Sequence, residues 1–498
     1  MSYNKSGEFG LSVIHILILI NYIVCVMFIL DMIFYTKKKP ERIIAWTIFM
    51  MIPFLGLFIY IIVGAGLSFF VKRMIKKYRF ANSEYNKYIE SQIKTLETLE
   101  EPKSYPAEFT DLILLNLNTT KSIYSLNNEF DYFLDGPTVY EKLKQDIENA
   151  KSSIHIEFYI FANDKTGKDM IKLLTKKASE GVEVRVLYDA IGSIRTSKIN
   201  FRKFKKAGGK LAVFFPPFLN IKLLNFKANY RNHRKICVID GKIAYTGGFN
   251  IRDDHMGKVK RLSPWRDTSG RFVGGVVHSF QNIFLSDWRF ASRDTSSMAN
   301  YRGEKYFPSL KQQNIEGKVP MQFLTSGPDN NGEAIKECML KMMQSAKKSI
   351  KIQSPYFIPD ETFLGTIKLA LLSGVEVSLM LPKKIDHWYV HYGGYSYIND
   401  LLKFGLKVYI YDGFIHSKVL LVDDKVITFG SCNIDIRSFA LNFEDNVVVY
   451  DEQKAVEYAG YFNDDIKKCK VYDDNTSKKR NIFAKLLTSF CRLFSAIL

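Results

Sequence analysis

Hydrophobic and polar positions follow three different patterns along this chain. The first is unbroken apolarity. Leu11 to Tyr35 and Ile43 to Val71 are almost wholly apolar, and a short basic turn, TKKKPER, separates them. Each run is long enough to cross a hydrocarbon core of about 30 Å, which predicts a two-helix transmembrane hairpin over residues 1–72. A cleaved signal peptide fits poorly. The first run is too long, no small-residue cleavage site follows, and a second run comes at once. Asp31 lies near the end of the first run, within reach of the interface, while Pro53 and Gly56 are expected to bend the second helix. The turn carries Lys37, Lys38, Lys39 and Arg42. The flanks carry Lys5, Lys72, Arg73, Lys76, Lys77 and Arg79. The positive-inside rule thus leans, by a small margin, toward cytoplasmic flanks and a cytoplasmic main body.

The second pattern is helical spacing. In a connector over 73–120, Tyr85, Tyr88, Ile89, Ile93, Leu96 and Leu99 predict a juxtamembrane helix, which EPKSYP ends. At the other end of the chain, Lys478, Lys479 and Arg480 precede Ile482, Phe483, Leu486, Leu487, Phe490, Leu493, Phe494 and Ile497. This predicts a C-terminal amphipathic helix over 473–498 that rests on a membrane surface or on the protein core.

The third pattern is a repeat of strands and helices. AKSSIHIEFYI (Ala150 to Ile160) is echoed by AKKSIKIQSPYFI (Ala346 to Ile358), and GVEVRVLYDAIGS (Gly181 to Ser193) by GVEVSLMLPKK (Gly374 to Lys384). Each half reads strand, helix, strand, then a hairpin. The expected fold class is therefore α/β: tandem duplicated α/β sandwich domains with mixed sheets, preceded by the membrane hairpin. The halves are placed at 121–300 and 320–472, with a linker over 301–319.

Each predicted hairpin carries the same polar signature. RNHRKICVIDGKIAYTGGFNI (Arg231 to Ile251) and IHSKVLLVDDKVITFGSCNI (Ile415 to Ile434) both read His-x-Lys, four residues, Asp, six residues, Gly-x-x-Asn. A lone His-x-Lys would be weak, but five matched positions occurring twice are specific. The signature nominates His233, Lys235, Asp240, His416, Lys418 and Asp423 as the catalytic set. Asn250 and Asn433 are candidates for holding a phosphate. Strand parity divides this set. His233 and Lys235 share a face, whereas Asp240, seven residues on, faces the other way and lies roughly 23 Å along at about 3.3 Å per residue. Asp240 therefore reads as a structural residue at the turn end. With Gly241–Lys242 as a two-residue turn, Lys235 faces Gly248 and His233 faces Asn250. In the second copy, an Asp424–Lys425 turn sets Lys418 opposite Ser431 and His416 opposite Asn433. The small residues Gly247, Gly248, Gly430 and Ser431 permit a close approach.

Composition narrows the chemistry. The chain has 498 residues, a formal charge of +19 and six scattered cysteines with no C-x-x-C pair. A disulfide framework and a structural zinc site are not expected. The basic balance suits a nucleic acid or an anionic membrane, and charge alone does not choose. Two histidines, two lysines and two asparagines brought together suit a phosphodiester. Lysine supplies fixed charge, one imidazole attacks phosphorus, and the other protonates the leaving alcohol. Neither a cofactor nor a metal is expected, since a lysine beside each histidine repels a cation. Symmetry leaves the nucleophile unassigned.

These motifs resemble the phospholipase D superfamily. PWRDT (Pro264 to Thr268), SGPDN (Ser326 to Asn330), QSPYFIPDE (Gln353 to Glu361) and NIDIRSFALNFE (Asn433 to Glu444) look, more narrowly, like the bacterial cardiolipin synthases, as does KPERIIAWTIFMMIPFLGLFIYIIVG in the apolar region. The resemblance covers nearly the whole chain. It implies a phosphatidyltransferase of the bacterial cell membrane, multi-pass, with cytoplasmic catalytic domains. That enzyme would move a phosphatidyl group between two phosphatidylglycerol molecules to give cardiolipin and glycerol. It further implies His233 as the nucleophile, His416 as the acid and base, and Asp267 and Glu444 as carboxylates that orient them. The implied partners are phosphatidylglycerol, other phospholipids and an anionic membrane, with no nucleic acid. Alternatives are a hydrolytic phospholipase D, a nuclease of the same superfamily and a non-catalytic membrane scaffold. Two positions depart from the family pattern. Ser269 stands where histidine is usual, and Ser417 where alanine is usual.

Overall fold

The computed structural model describes residues 5–34, 40–60, 75, 83–97, 106–216, 230–296, 298–301, 303–310, 315–330, 332–478 and 482–493. The chain divides into an N-terminal unit, residues 1–73 together with 216–229, and a large unit spanning 74–215 and 230–498.

In the N-terminal unit, α1 (Lys5–Phe34) contains Val13–Phe34, the single stretch among the described residues that is long and apolar enough to cross a membrane. The second apolar run does not form one continuous span over its described part. α2 (Pro40–Met50) stops, and a turn at 51–54 leads into α3 (Leu55–Ile59). Pro53 supplies no N–H donor to the helix, and Phe54 takes a left-handed φ of 61°, so the helix breaks instead of bending. The basic turn at 35–39 and the run from Ile61 to Val71 lie outside the described residues.

In the large unit, the expected juxtamembrane helix forms as α4 (Ser83–Glu97). It is part of the protein core. Ile89 and Leu96 are buried with the second half, and the Gln92 amide exchanges hydrogen bonds with the backbone of Tyr124 at 2.8 and 3.1 Å.

The duplication shows in the strand order. The first sheet comprises β1 (Asn128–Phe133), β2 (Ser153–Phe158), β3 (Glu183–Asp189), β4 (Lys210–Phe214), β5 (Lys235–Ile239), β6 (Ile243–Gly247) and β7 (Ser269–Gly274). Its spatial order is β1-β7-β6-β5-β2-β3-β4. The second comprises β8 (Met321–Ser326), β9 (Ser349–Gln353), β10 (Glu376–Pro382), β11 (Lys407–Tyr411), β12 (Val419–Val422), β13 (Val426–Gly430), β14 (Asn442–Val449) and β15 (Cys469–Tyr472). Its order, β8-β14-β13-β12-β9-β10-β11-β15, repeats the first with one strand added. β2, β3 and β4 run parallel, joined by helical crossovers, and the hairpins are antiparallel. β5 and β12 are buried at every position, as their unbroken apolar sequences require of central strands covered on both faces.

The C-terminal helix α5 (Ile482–Leu493) docks on the helix Trp388–Leu402. Arg492 pairs with Asp400 at 3.0 Å and lies over the Tyr397 ring. Ile482, Phe483, Leu486 and Phe490 remain exposed on its outer side. Core docking therefore still leaves an apolar stripe toward the surroundings. Phe494 and Ile497 lie outside the described residues.

Candidate active site

The hairpin register differs from expectation by one residue. Ile239 is opposite Ile243 and Val422 opposite Val426, which leaves three residues in each loop. Carried back, this sets Lys235 opposite Gly247 and Lys418 opposite Gly430. The extra residue has a purpose. Asp240 and Asp423 take left-handed φ values of 53° and 54°. Asp240 accepts hydrogen bonds from the backbone N–H groups of Lys151, Ser152 and Ser153 at 2.7–2.8 Å, and Asp423 from those of Lys347, Lys348 and Ser349 at the same distances. These contacts make Asp240 and Asp423 caps of the turns at 151–153 and 347–349, in line with strand parity. Asp240→Ala strands three donors, so we expect a stability loss of about 1–3 kcal/mol, read as a lower thermal midpoint, with kcat of the folded fraction retained.

Two short parallel bridges set the chemical end. Arg231–Asn232 pairs with Asn442–Phe443, and Phe414–Ile415 with Trp265–Arg266. Each bridge joins the two halves. One residue further along, each bridge brings a histidine beside a carboxylate. His233 Nδ1 lies 2.8 Å from Glu444 Oε2, and His416 Nδ1 lies 2.9 Å from Asp267 Oδ2. The backbone is pinned likewise, His233 N–H to Phe443 O at 2.8 Å and His416 N–H to Arg266 O at 2.7 Å. Each half thus supplies the carboxylate for the other half's imidazole. Both carboxylates are supported. Ser431 Oγ donates to Glu444 at 2.5 Å, and the Thr268 N–H and Trp265 Nε1 donate to Asp267. A Cβ at position 248 would sit 2.0 Å from Asp267 Oδ1, so the small residue there makes room for this carboxylate.

The charge states follow from burial and neighbours. Burial pushes the Glu444 and Asp267 carboxyls up, but His233 with Lys235, and His416 with Lys418, outweigh it and hold both below the usual range. An ionised carboxylate only accepts, so each Nδ1 carries the proton and each Nε2 keeps its lone pair. Burial drives both imidazoles down to about 4, with the lysines adding to the effect. Burial also lowers Lys235 to about 8 and Lys418 to about 7. Their ammonium groups donate to the carbonyls of His233 and His416 at 2.7 and 2.5 Å. The lysines are charged below these values and lose that charge as pH rises. We therefore expect kcat/KM to fall through about pH 7–8 on the alkaline side, well below ordinary lysine titration, and to fall near pH 4 as His233 protonates. A pH–rate profile with an alkaline limb near 10 would contradict this.

The asparagines are not equivalent. Asn250 Oδ1 accepts from the Ile160 N–H at 3.1 Å, and its Nδ2 lies 3.3 Å from His255 Nε2. The expected register opposition of Asn250 to His233 shifts with the hairpin, which carried back sets Phe249 opposite His233. Asn433 is buried, and its Oδ1 has no partner among the described residues. His255 is a residue that sequence reasoning missed. It is buried, packs on Trp265 and stands edge-on to His416 with ring centroids 5.1 Å apart. Its spacing, five residues past Asn250, was the available signal. His255, Asp267 and His416 bring ligand atoms within 4.8 Å of one another. Their nitrogens already face Asn250 and Asp267, and the Lys418 charge acts on this group, so the donor set is a poor cation site. Tyr159, also missed, stands edge-on to the His233 ring, with the Lys235 ammonium 5.7 Å from its centroid. Ser269 is buried in β7 opposite Gly247, and Ser417 Oγ lies 3.0 Å from Thr268 Oγ1.

Comparison with known proteins bears on the fold and the family. A family model described as "Cardiolipin synthase, PLD-like domain" matches residues 143–260 and 339–466, once per half. One described as "Phospholipase_D-nuclease N-terminal" matches 23–64. The cardiolipin synthase of Oceanobacillus iheyensis is 38% identical over 483 residues, covering 96% of this chain and 98% of the relative. The major cardiolipin synthase of Bacillus subtilis is 37% identical over 498 residues, covering 98% and 100%. Among solved structures, phosphatidylserine synthase from Haemophilus influenzae superposes with a TM-score of 0.58 at 15% identity. The match covers 82% of this chain and 98% of that one, a likeness of fold. A duplicated mixed-sheet sandwich pooling one His-x-Lys motif from each half defines a phospholipase D-like enzyme. Within that class, the chain belongs to the cardiolipin synthase family.

Proposed function

We propose that this phosphatidyltransferase makes cardiolipin from two molecules of phosphatidylglycerol through a phosphohistidine on His233. The supporting observation is the reciprocal pairing of His233 with Glu444 and His416 with Asp267. His233 Nε2 attacks phosphorus while His416, which takes up a second proton at Nε2 once the anionic phosphate is bound, gives that proton to the departing glycerol. His416 then takes a proton from the hydroxyl of the second phosphatidylglycerol, which attacks the phosphohistidine and frees His233. Lys235 and Lys418 stabilise the charge on the phosphoryl oxygens, and Asn250 and Asn433 are assigned to the same phosphate. Lysine charge serves where other enzymes use a metal, so none is required. Membrane lipid is the partner, and nucleic acid is not. We place the chain in the cell membrane, held by α1 and the apolar segment that follows, with the catalytic unit on the cytoplasmic side.

The test is phosphatidylglycerol alone in mixed micelles with a chelator, followed by lipid separation. Cardiolipin and glycerol in equal amounts are expected. Phosphatidic acid as the sole product would reassign the enzyme as a hydrolase.

A further inference from the structure

We infer that the second apolar segment does not cross the membrane: it enters one leaflet, turns beside Asn21 and leaves by the face it entered. Tyr60 gives the first indication. It lies fourteen residues after Trp46, about 21 Å away along a continuous helix. Instead the two rings meet edge-on with centroids 5.2 Å apart, and Tyr60 meets Phe28 of α1 at the same distance. The deepest point is marked by different contacts. Asn21 Oδ1 accepts from the Phe54 N–H at 3.2 Å, and the Tyr22 hydroxyl donates to Met51 O at 3.1 Å. The chain therefore runs from the level of Phe28 to that of Asn21 and back. Gly56 permits the reversal, since a Cβ there would sit 2.2 Å from Phe49 O. Cys25, Met32, Met50 and Tyr60 form the buried core of the resulting three-segment packing.

The polar groups of α1 explain how lipid tolerates this break. Backbone groups freed inside hydrocarbon must find partners within the protein. Asn21 and Tyr22 satisfy two of them, and Asn21 is 3% exposed in a helix whose neighbours face outward. Depth agrees as well. Asn21 lies about 20 Å from the Phe34 end of α1 and about 12 Å from Val13, at about 1.5 Å per helical residue. From Tyr60, at the level of Phe28, the near face is about 9 Å away and the far face about 22 Å. Only eleven apolar residues, Ile61 to Val71, remain before the basic run that begins at Lys72, fewer than a fresh crossing needs.

Charge supplies an independent check. With two crossings, the basic residues divide almost evenly between the faces. With one crossing and a re-entrant segment, Lys37, Lys38, Lys39, Arg42, Lys72, Arg73, Lys76, Lys77 and Arg79 share one face, and Lys5 stands alone on the other. A weak bias becomes decisive, and the face bearing both the turn and the catalytic unit is the cytoplasmic one.

Single cysteines test the topology independently of the reaction. Asn4→Cys, Lys38→Cys and Lys76→Cys are made in the full chain, with phosphatidyl transfer confirming that each folds. A membrane-impermeant maleimide is applied to spheroplasts and to inverted vesicles, with the parent chain as the background. Labelling of Lys38→Cys and Lys76→Cys from the cytoplasmic face, and of Asn4→Cys from the opposite face, is expected. Labelling of Asn4→Cys and Lys76→Cys from one face, or of Lys38→Cys and Lys76→Cys from opposite faces, would overturn the inference.

Discussion

His233→Ala is expected to lower phosphatidyl transfer to below about one thousandth of the parent rate and to remove the phosphoenzyme altogether. His416→Ala should lose turnover to a similar degree while keeping a chain that can still carry label. The two variants are chemically alike, so rate alone does not separate them. Brief incubation with phosphatidylglycerol labelled at phosphorus, followed by denaturation and counting of protein-bound label, does. Label on the His416→Ala chain and none on the His233→Ala chain assigns the nucleophile. The reverse pattern would exchange the two roles.

The carboxylates carry the second large effect. Glu444→Gln and Asp267→Asn leave size and hydrogen-bonding capacity nearly intact but remove the charge that keeps the proton on Nδ1. Loss of the correct imidazole tautomer in comparable sites costs about 10⁴ in kcat, and we expect about 10²–10⁴ for each variant, with lipid affinity little changed. The crossing of partners makes the outcomes distinguishable. Glu444 belongs to the second half yet serves His233 of the first, so Glu444→Gln should slow phosphoenzyme formation. Asp267→Asn acts on His416 and should slow both proton transfers. Rapid-quench measurement of label separates them. If Glu444→Gln left the burst of phosphoenzyme untouched, the assigned pairing would fail.

Much of this site was legible before any coordinates. The doubled His-x-Lys signature identified the four basic side chains, and the 181–193 and 374–384 echoes gave the duplication. Strand parity moved Asp240 away from His233. The register was missed because Asp240 and Asp423 adopt left-handed backbone, adding a residue to each loop, in order to cap the turns at 151–153 and 347–349. Local turn chemistry does not reveal a partner 89 residues away. His255 was missed because the second copy of the signature has no counterpart to it: Ser438 stands at the equivalent position. The reversal at Pro53 and Phe54 was missed because mean apolarity is the same for a straight helix and a folded one.

The crossed bridges also bear on synthesis. His233 waits for Glu444, 211 residues downstream. At a translation rate of about 5–20 residues per second, that interval lasts about 10–40 s. Throughout it the emerging first half holds a lysine and a histidine near membrane lipid but no charged partner to fix the tautomer. A chain interrupted anywhere in the second half before Glu444 therefore lacks the carboxylate that His233 is paired with in the finished protein.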